Sequence, residues 1–236
     1  MSRRSLSPKK LGVVLVLGAW CGLYLFLLAT DRTSLYLSSR TEWLVPVGGV
    51  ILLIAVVGQL FFSDSSGAPK LTTKDSLGLV LVAVPVVVVL ALPPASLTSF
   101  AANRRSSFAS AAFVPSIEDI SSGELDLADV AGAIRSDEVM AALRARAGAE
   151  VDFTGFVARR PGMPADEFLL TRFLISCCVA DALTVQVRVV DAPPGAFKQD
   201  QWVRVSGSLY PLENEIVVQA AGVTKVPRPD HPYLNA

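Results

Sequence analysis

Hydrophobic and polar positions follow two different regimes along the chain. In the first hundred residues the apolar positions come in long unbroken runs. Residues 11–30 carry no charge, and residues 43–62 have Gln59 as their one strongly polar side chain. A third uncharged run covers residues 76–103, with its apolar body at 77–92. A helix rises about 1.5 Å per residue and bilayer hydrocarbon is about 30 Å thick, so about 20 residues cross it. The pattern predicts transmembrane helices at about 11–30, 43–62 and 77–97 within a membrane region 11–103. Pro85 falls inside the third and Pro93-Pro94 closes it, so a kink is expected there, tolerated where a neighbour satisfies the freed carbonyl.

The later part of the chain has shorter periods. Residues 104–115 (RRSSFASAAFVP) are small and polar and read as a linker, and 104–147 as linker plus short helices. Ser116-Ile-Glu-Asp is a capped start, and Ser136-Asp-Glu-Val opens a second helix with Val139, Met140, Leu143 and Ala147 on one face. From residue 150 the period becomes two. Val151, Phe153, Gly155 and Val157 alternate with Asp152, Thr154, Phe156 and Ala158. Residues 168–178 form a more continuously apolar strand, and Leu183, Val185, Val187 and Val189 alternate with polar neighbours. The segment DAPPGAFKQD is a connector with room for a helical turn. Val203, Val205, Gly207 and Leu209 then mark a fourth strand, and residues 215–220 a fifth. Five short strands with one longer connection predict a small Greek-key barrel over residues 148–236, OB-like first and a β-sandwich second. Gly155 and Gly207 fit the tight bends where such barrels curl.

Composition agrees with this division. The chain is 52% hydrophobic and 18% charged, with no formal net charge, where soluble domains carry about 25% charged residues. Arg3, Arg4, Lys9 and Lys10 make residues 1–10 a basic tail without acids, which places it in the cytoplasm. Three crossings of a bacterial plasma membrane then put the C-terminal domain outside the cytoplasm, whereas two, with the third run not spanning, leave it inside. A cleaved signal peptide is the competing reading of the first run, but that run is longer than a signal core and has no small-x-small cleavage site before Asp31. A lipoprotein signal at Cys21 is disfavoured by Trp20 beside it.

Candidate chemistry is sparse. Residues 149–236 carry eight Lys or Arg against ten Asp or Glu, so nucleic acid, which needs a cationic surface, is not an expected partner. The one histidine, His231, lies near the C-terminus, and no nucleophile–base set or phosphate-cradling glycine loop is present, so no enzyme activity is expected. The remaining feature is Arg172-Phe-Leu-Ile-Ser-Cys177-Cys178-Val-Ala-Asp181-Ala. Adjacent strand residues point to opposite faces, so the two sulfurs share a site only if the strand ends or bulges there. Asp181 favours such a turn. One reading is a metal or redox site from Cys177, Cys178 and Asp181, in which the cysteines either bond to each other or hold zinc or copper with His231 as a fourth ligand. The other is two cysteines packing as small hydrophobes.

The string RFLISCCVADA resembles the RF-x-x-x-CC-x-ADA signature of the YcgQ-like family of bacterial membrane proteins. VDFTGFVAR, WVRVSGSLY and the terminal VPRPDHPY are similar to further segments of that family, as is LPPASL at the exit of the last apolar run. The resemblance covers about residues 10–235 and marks Arg172, Phe173, Cys177, Cys178, Ala180, Asp181, Trp202, Gly207, Pro232 and Tyr233 as motif positions. It implies an accessory subunit that acts with a larger polytopic permease-like protein. The alternative function is an extracytoplasmic metal-binding domain in zinc or copper homeostasis.

Overall fold

The computed structural model describes residues 8–61, 72–92, 97–104, 115–213 and 215–235. The chain separates into two compact units, Met1–Pro94 and Ala95–Ala236. Arg3 and Arg4 of the basic tail, Lys70, Pro93-Pro94 and nearly all of the 104–115 linker lie outside the described residues.

The first unit holds three helices, α1 (Pro8–Ala29), α2 (Leu44–Phe61) and α3 (Thr73–Ala91), each long and apolar enough to cross a membrane. Their outward faces are the apolar ones: Leu15, Ile54 and Leu81 are among many large aliphatic side chains left exposed. In water such a surface would not persist, and in hydrocarbon it costs nothing. Helix packing uses small residues. A Cβ on Gly48 of α2 would lie 2.7 Å from the ring of Tyr24 on α1, and one on Gly12 would lie 2.7 Å from Leu79 of α3. Pro85 sits inside α3, and Trp20 Nε1 donates to the Val82 carbonyl at 3.0 Å, one residue along from the carbonyl that Pro85 cannot serve. At the start of α3, Thr72 and Asp75 form a reciprocal capping box, and Lys9 of α1 pairs with Asp75 at 3.0 Å.

The second unit starts with α4 (Ser99–Arg104) and continues with α5 (Ile117–Ser122), α6 (Leu127–Gly132) and α7 (Asp137–Arg144). The expected cap holds: the Ser136 side chain accepts from the Val139 N–H. Val139, Met140 and Leu143 are buried, but Ala147 is exposed, because α7 stops at Arg144 and the turn that follows carries Ala147 outward. Asp126 caps α6 by the same device.

Six strands follow: β1 (Glu150–Ala158), β2 (Phe168–Ile175), β3 (Leu183–Val190), β4 (Trp202–Pro211), β5 (Ile216–Lys225) and β6 (Tyr233–Asn235). The connector between β3 and β4 is built from turns, without a helical one. Strand β5 runs five residues beyond the expected end because pairing with β4 continues to Val203↔Lys225. Strands β1–β2, β2–β3, β3–β5, β5–β4 and β4–β1 all pair, and β3–β5 is parallel. The result is a small closed five-stranded barrel consistent with an OB-like fold. The short β6 adds in parallel to β2 and was not expected from the proline-rich terminal sequence.

Two glycines make the closure possible. A Cβ at Gly155 would lie 2.8 Å from the Thr171 carbonyl oxygen, and one at Gly207 only 2.1 Å from that of Gln219. Gly207 also marks the β-bulge where the β4–β5 register shifts. The inward alternation of the strands packs with Ile120, Leu125, Leu127, Val130 and Leu143 of the short helices in one core. Phe156 and Ala158, expected to face outward, are instead buried. They belong to a second cluster with Leu169, Phe173, Ile175, Ala182, Tyr233 and Ala102. The physical reason is α4, which covers this outer sector of the barrel.

Candidate functional site

The apolar run that begins at Phe168 stays extended only to Ile175. The chain bends at Ser176 and Cys177, and Val179–Asp181 forms a single 3₁₀ turn. The strand thus ends where the two cysteines begin, which removes the opposite-face constraint. Their sulfurs lie 3.7 Å apart, the Cys177 thiol donating to the Cys178 sulfur, and form no disulfide. Cys177 is exposed and Cys178 half-buried, and neither belongs to an apolar cluster.

Asp181 organises this bend. Its carboxylate accepts from the Ser176 N–H at 3.1 Å and the Cys177 N–H at 2.8 Å. Its own N–H donates to the Cys178 carbonyl. Burial pushes the Asp181 carboxyl up, but the Cys177 N–H, the Cys177 thiol and the N–H groups of Ser176 and Cys178 outweigh it. The group therefore titrates below the ordinary carboxylate range. The same contact acts oppositely on sulfur. The hydrogen bond to the Asp181 carboxylate, then that with the Cys178 sulfur, push the Cys177 thiol up to about 11.

The anticipated four-ligand metal set is not assembled. The Asp181 carboxylate accepts from the N–H groups of Ser176 and Cys177. Among the described residues no three His, Cys, Asp or Glu side chains are placed to hold a metal ion. A closed structural zinc site, which wants four ligands, does not fit here.

Several other motif residues meet on a different part of the barrel. Arg172 donates to the carbonyls of His231, Pro232 and Tyr233, and its guanidinium lies 5.8 Å from the Trp202 ring centroid. Burial lowers the Arg172 pKa, against the opposing pull of Asp126. Phe156 stacks with Phe173 and meets Trp202 edge-on, both at 5.8 Å between centroids. The Tyr233 hydroxyl accepts from the Leu97 N–H at 3.3 Å. Arg172 thus clamps the terminal segment and lets β6 pair with Phe173 and Leu174. Ala180 lies exposed in the 3₁₀ turn, and Gly207 sits at the bulge.

A polar cleft of about 470 Å³ escaped the sequence reading. It is lined by Glu124, Arg146, Glu150, Asp152, Ser206 and Ser208. Two of its charged groups already have partners: Asp152 binds Arg204 at 2.7 Å, and Arg146 donates to the Ile120 and Gly123 carbonyls. Its residues are scattered over three strands and two loops, so no local string announces it.

No curated protein matches this chain. Residues 118–235 match the model of the DUF1980 C-terminal domain, from α5 to the last strand. That match spans half of the sequence, and the chain belongs to this family.

Proposed function

We propose that the protein is a membrane-anchored accessory subunit of a permease-like complex, with its barrel on the extracytoplasmic side of a bacterial plasma membrane, where it gates a larger polytopic partner or presents a ligand to it. The observation that carries this reading is the architecture. Three lipid-compatible helices precede a closed barrel that buries its own core and needs no help from the membrane unit. The resemblance to YcgQ-like proteins supports the same role. A non-catalytic function is part of the proposal. In the polar cleft Asp152 is paired with Arg204, and Arg146 is held by the Ile120 and Gly123 carbonyls.

The test is gentle solubilisation of native membranes followed by mass measurement of the particle that contains this chain. Co-migration with a larger membrane protein at fixed stoichiometry is the expected result. Recovery of the chain at its own mass, across several mild detergents, overturns the proposal.

A further inference from the structure

We infer that Cys177 and Cys178 form a bidentate dithiolate half-site for one zinc-class divalent cation, open on its remaining coordination positions. The inference stands on geometry and is independent of the permease reading. A tetrahedral ion with metal–sulfur bonds of about 2.3 Å holds two sulfurs about 3.8 Å apart. The two sulfurs here are 3.7 Å apart, so a single ion seats between them with little movement. A linear two-coordinate ion with similar bonds would need a separation near twice the bond length, about 4.6 Å, and fits less well. A disulfide would need the sulfurs to close to about 2.05 Å in neighbouring residues whose Cα atoms are only about 3.8 Å apart, shorter than ordinary disulfides span. The dithiol is therefore better disposed to chelate than to pair.

The bend makes this arrangement a feature of the fold. Asp181 fixes the Ser176 and Cys177 N–H groups, and Cys178 stays extended (φ −155°, ψ 169°) as the 3₁₀ turn begins. The two side chains are thereby held on the same side of the chain. Cys177 is exposed, so an ion can enter. Binding is an exchange: two thiols release two protons to solvent, and the two positive charges of the ion replace them. Among the described residues no third side chain joins the set. Two tetrahedral positions thus remain for water or for a ligand carried by another molecule, as in a site that exchanges its ion and does not lock it into the fold.

The experiment uses the full chain in detergent micelles, fully reduced and under anaerobic conditions, titrated with Cd²⁺ as a spectroscopic stand-in for zinc. Sulfur-to-cadmium charge-transfer absorption should saturate at one ion per chain, with two protons released per ion. Cys177→Ser and Cys178→Ser should each weaken binding at least 100-fold, while Cys21→Ser leaves it unchanged. Equal absorption in the Cys177→Ser/Cys178→Ser double variant, or none in the unaltered chain, overturns the inference. A second measurement needs no variant: saturating Zn²⁺ should slow maleimide labelling of the pair at least tenfold. An unchanged labelling rate overturns it as well.

Discussion

At the scale of single residues, Asp181 and Gly207 carry the clearest consequences. Replacing Asp181 by Asn removes the carboxylate whose hydrogen bond with the thiol, more than its charge, pushes Cys177 up to about 11. More thiolate then exists at neutral pH, and alkylation of Cys177 at pH 8 should run about tenfold faster than in the unaltered chain. The carboxyl itself titrates below its ordinary range, so its contribution to stability is present above the unfolded value of about 3.9 and is lost as pH falls through the folded one. The stability gap between the native chain and Asp181→Asn should therefore close below about pH 4, as followed by thermal melting across pH. Gly207→Ala sets a methyl against the Gln219 carbonyl oxygen and its carbon, both rigid backbone. A loss of about 3 kcal/mol is expected in denaturant unfolding of the barrel. Both positions were legible in the sequence. Gly207 interrupts an alternating strand, and Asp181 is a turn former placed just after an apolar run. The fate of Phe156 was not legible, since its cover comes from a segment fifty residues upstream.

At the scale of elements, unbroken apolar length identified the three helices of the first unit and strand β2, and alternation of period two identified β1, β3 and β4. Both failed for β6 and α4. Three residues after a proline-rich stretch have no period to read, and β6 is held by long-range contacts: its pairing with β2 and the three carbonyls that Arg172 gathers. Helix α4 is held by long-range contacts: Ser99 N–H donates to the Asp200 carboxylate at 2.7 Å, and Ala102 is buried against the barrel. Asp200 has φ +62°, a left-handed conformation that glycine adopts without strain. Asp200→Gly should thus remove the anchor while leaving the barrel's melting temperature within a few degrees. Limited proteolysis around residues 97–104 should become several-fold faster. Equal cleavage rates would show that Asp200 does not secure the helix.

At the scale of the whole molecule, the division into three long apolar helices and a barrel was the most legible property, since it follows from where charge is absent. The cleft at Glu124 and Glu150 and the pairing of β3 with β5 depend on how distant strands close, and one sequence does not display that. The proposed topology makes a direct prediction. A membrane-impermeant maleimide added to intact cells should label Cys177, with Cys21 buried in α1 and silent. If labelling required cell lysis, the barrel would lie in the cytoplasm, and the chain would cross the bilayer an even number of times.

The outer aromatic sector of the barrel has a practical consequence for anyone who handles this half of the protein alone. The family match begins at residue 118, yet Leu97, Ala101 and Ala102 pack on the cluster that holds Phe156, Phe173 and Tyr233. A recombinant truncation starting at 118 strips those residues away and leaves a greasy scar, so it should self-associate on size-exclusion chromatography. One starting at 95 carries its own cover and should elute as a monomer.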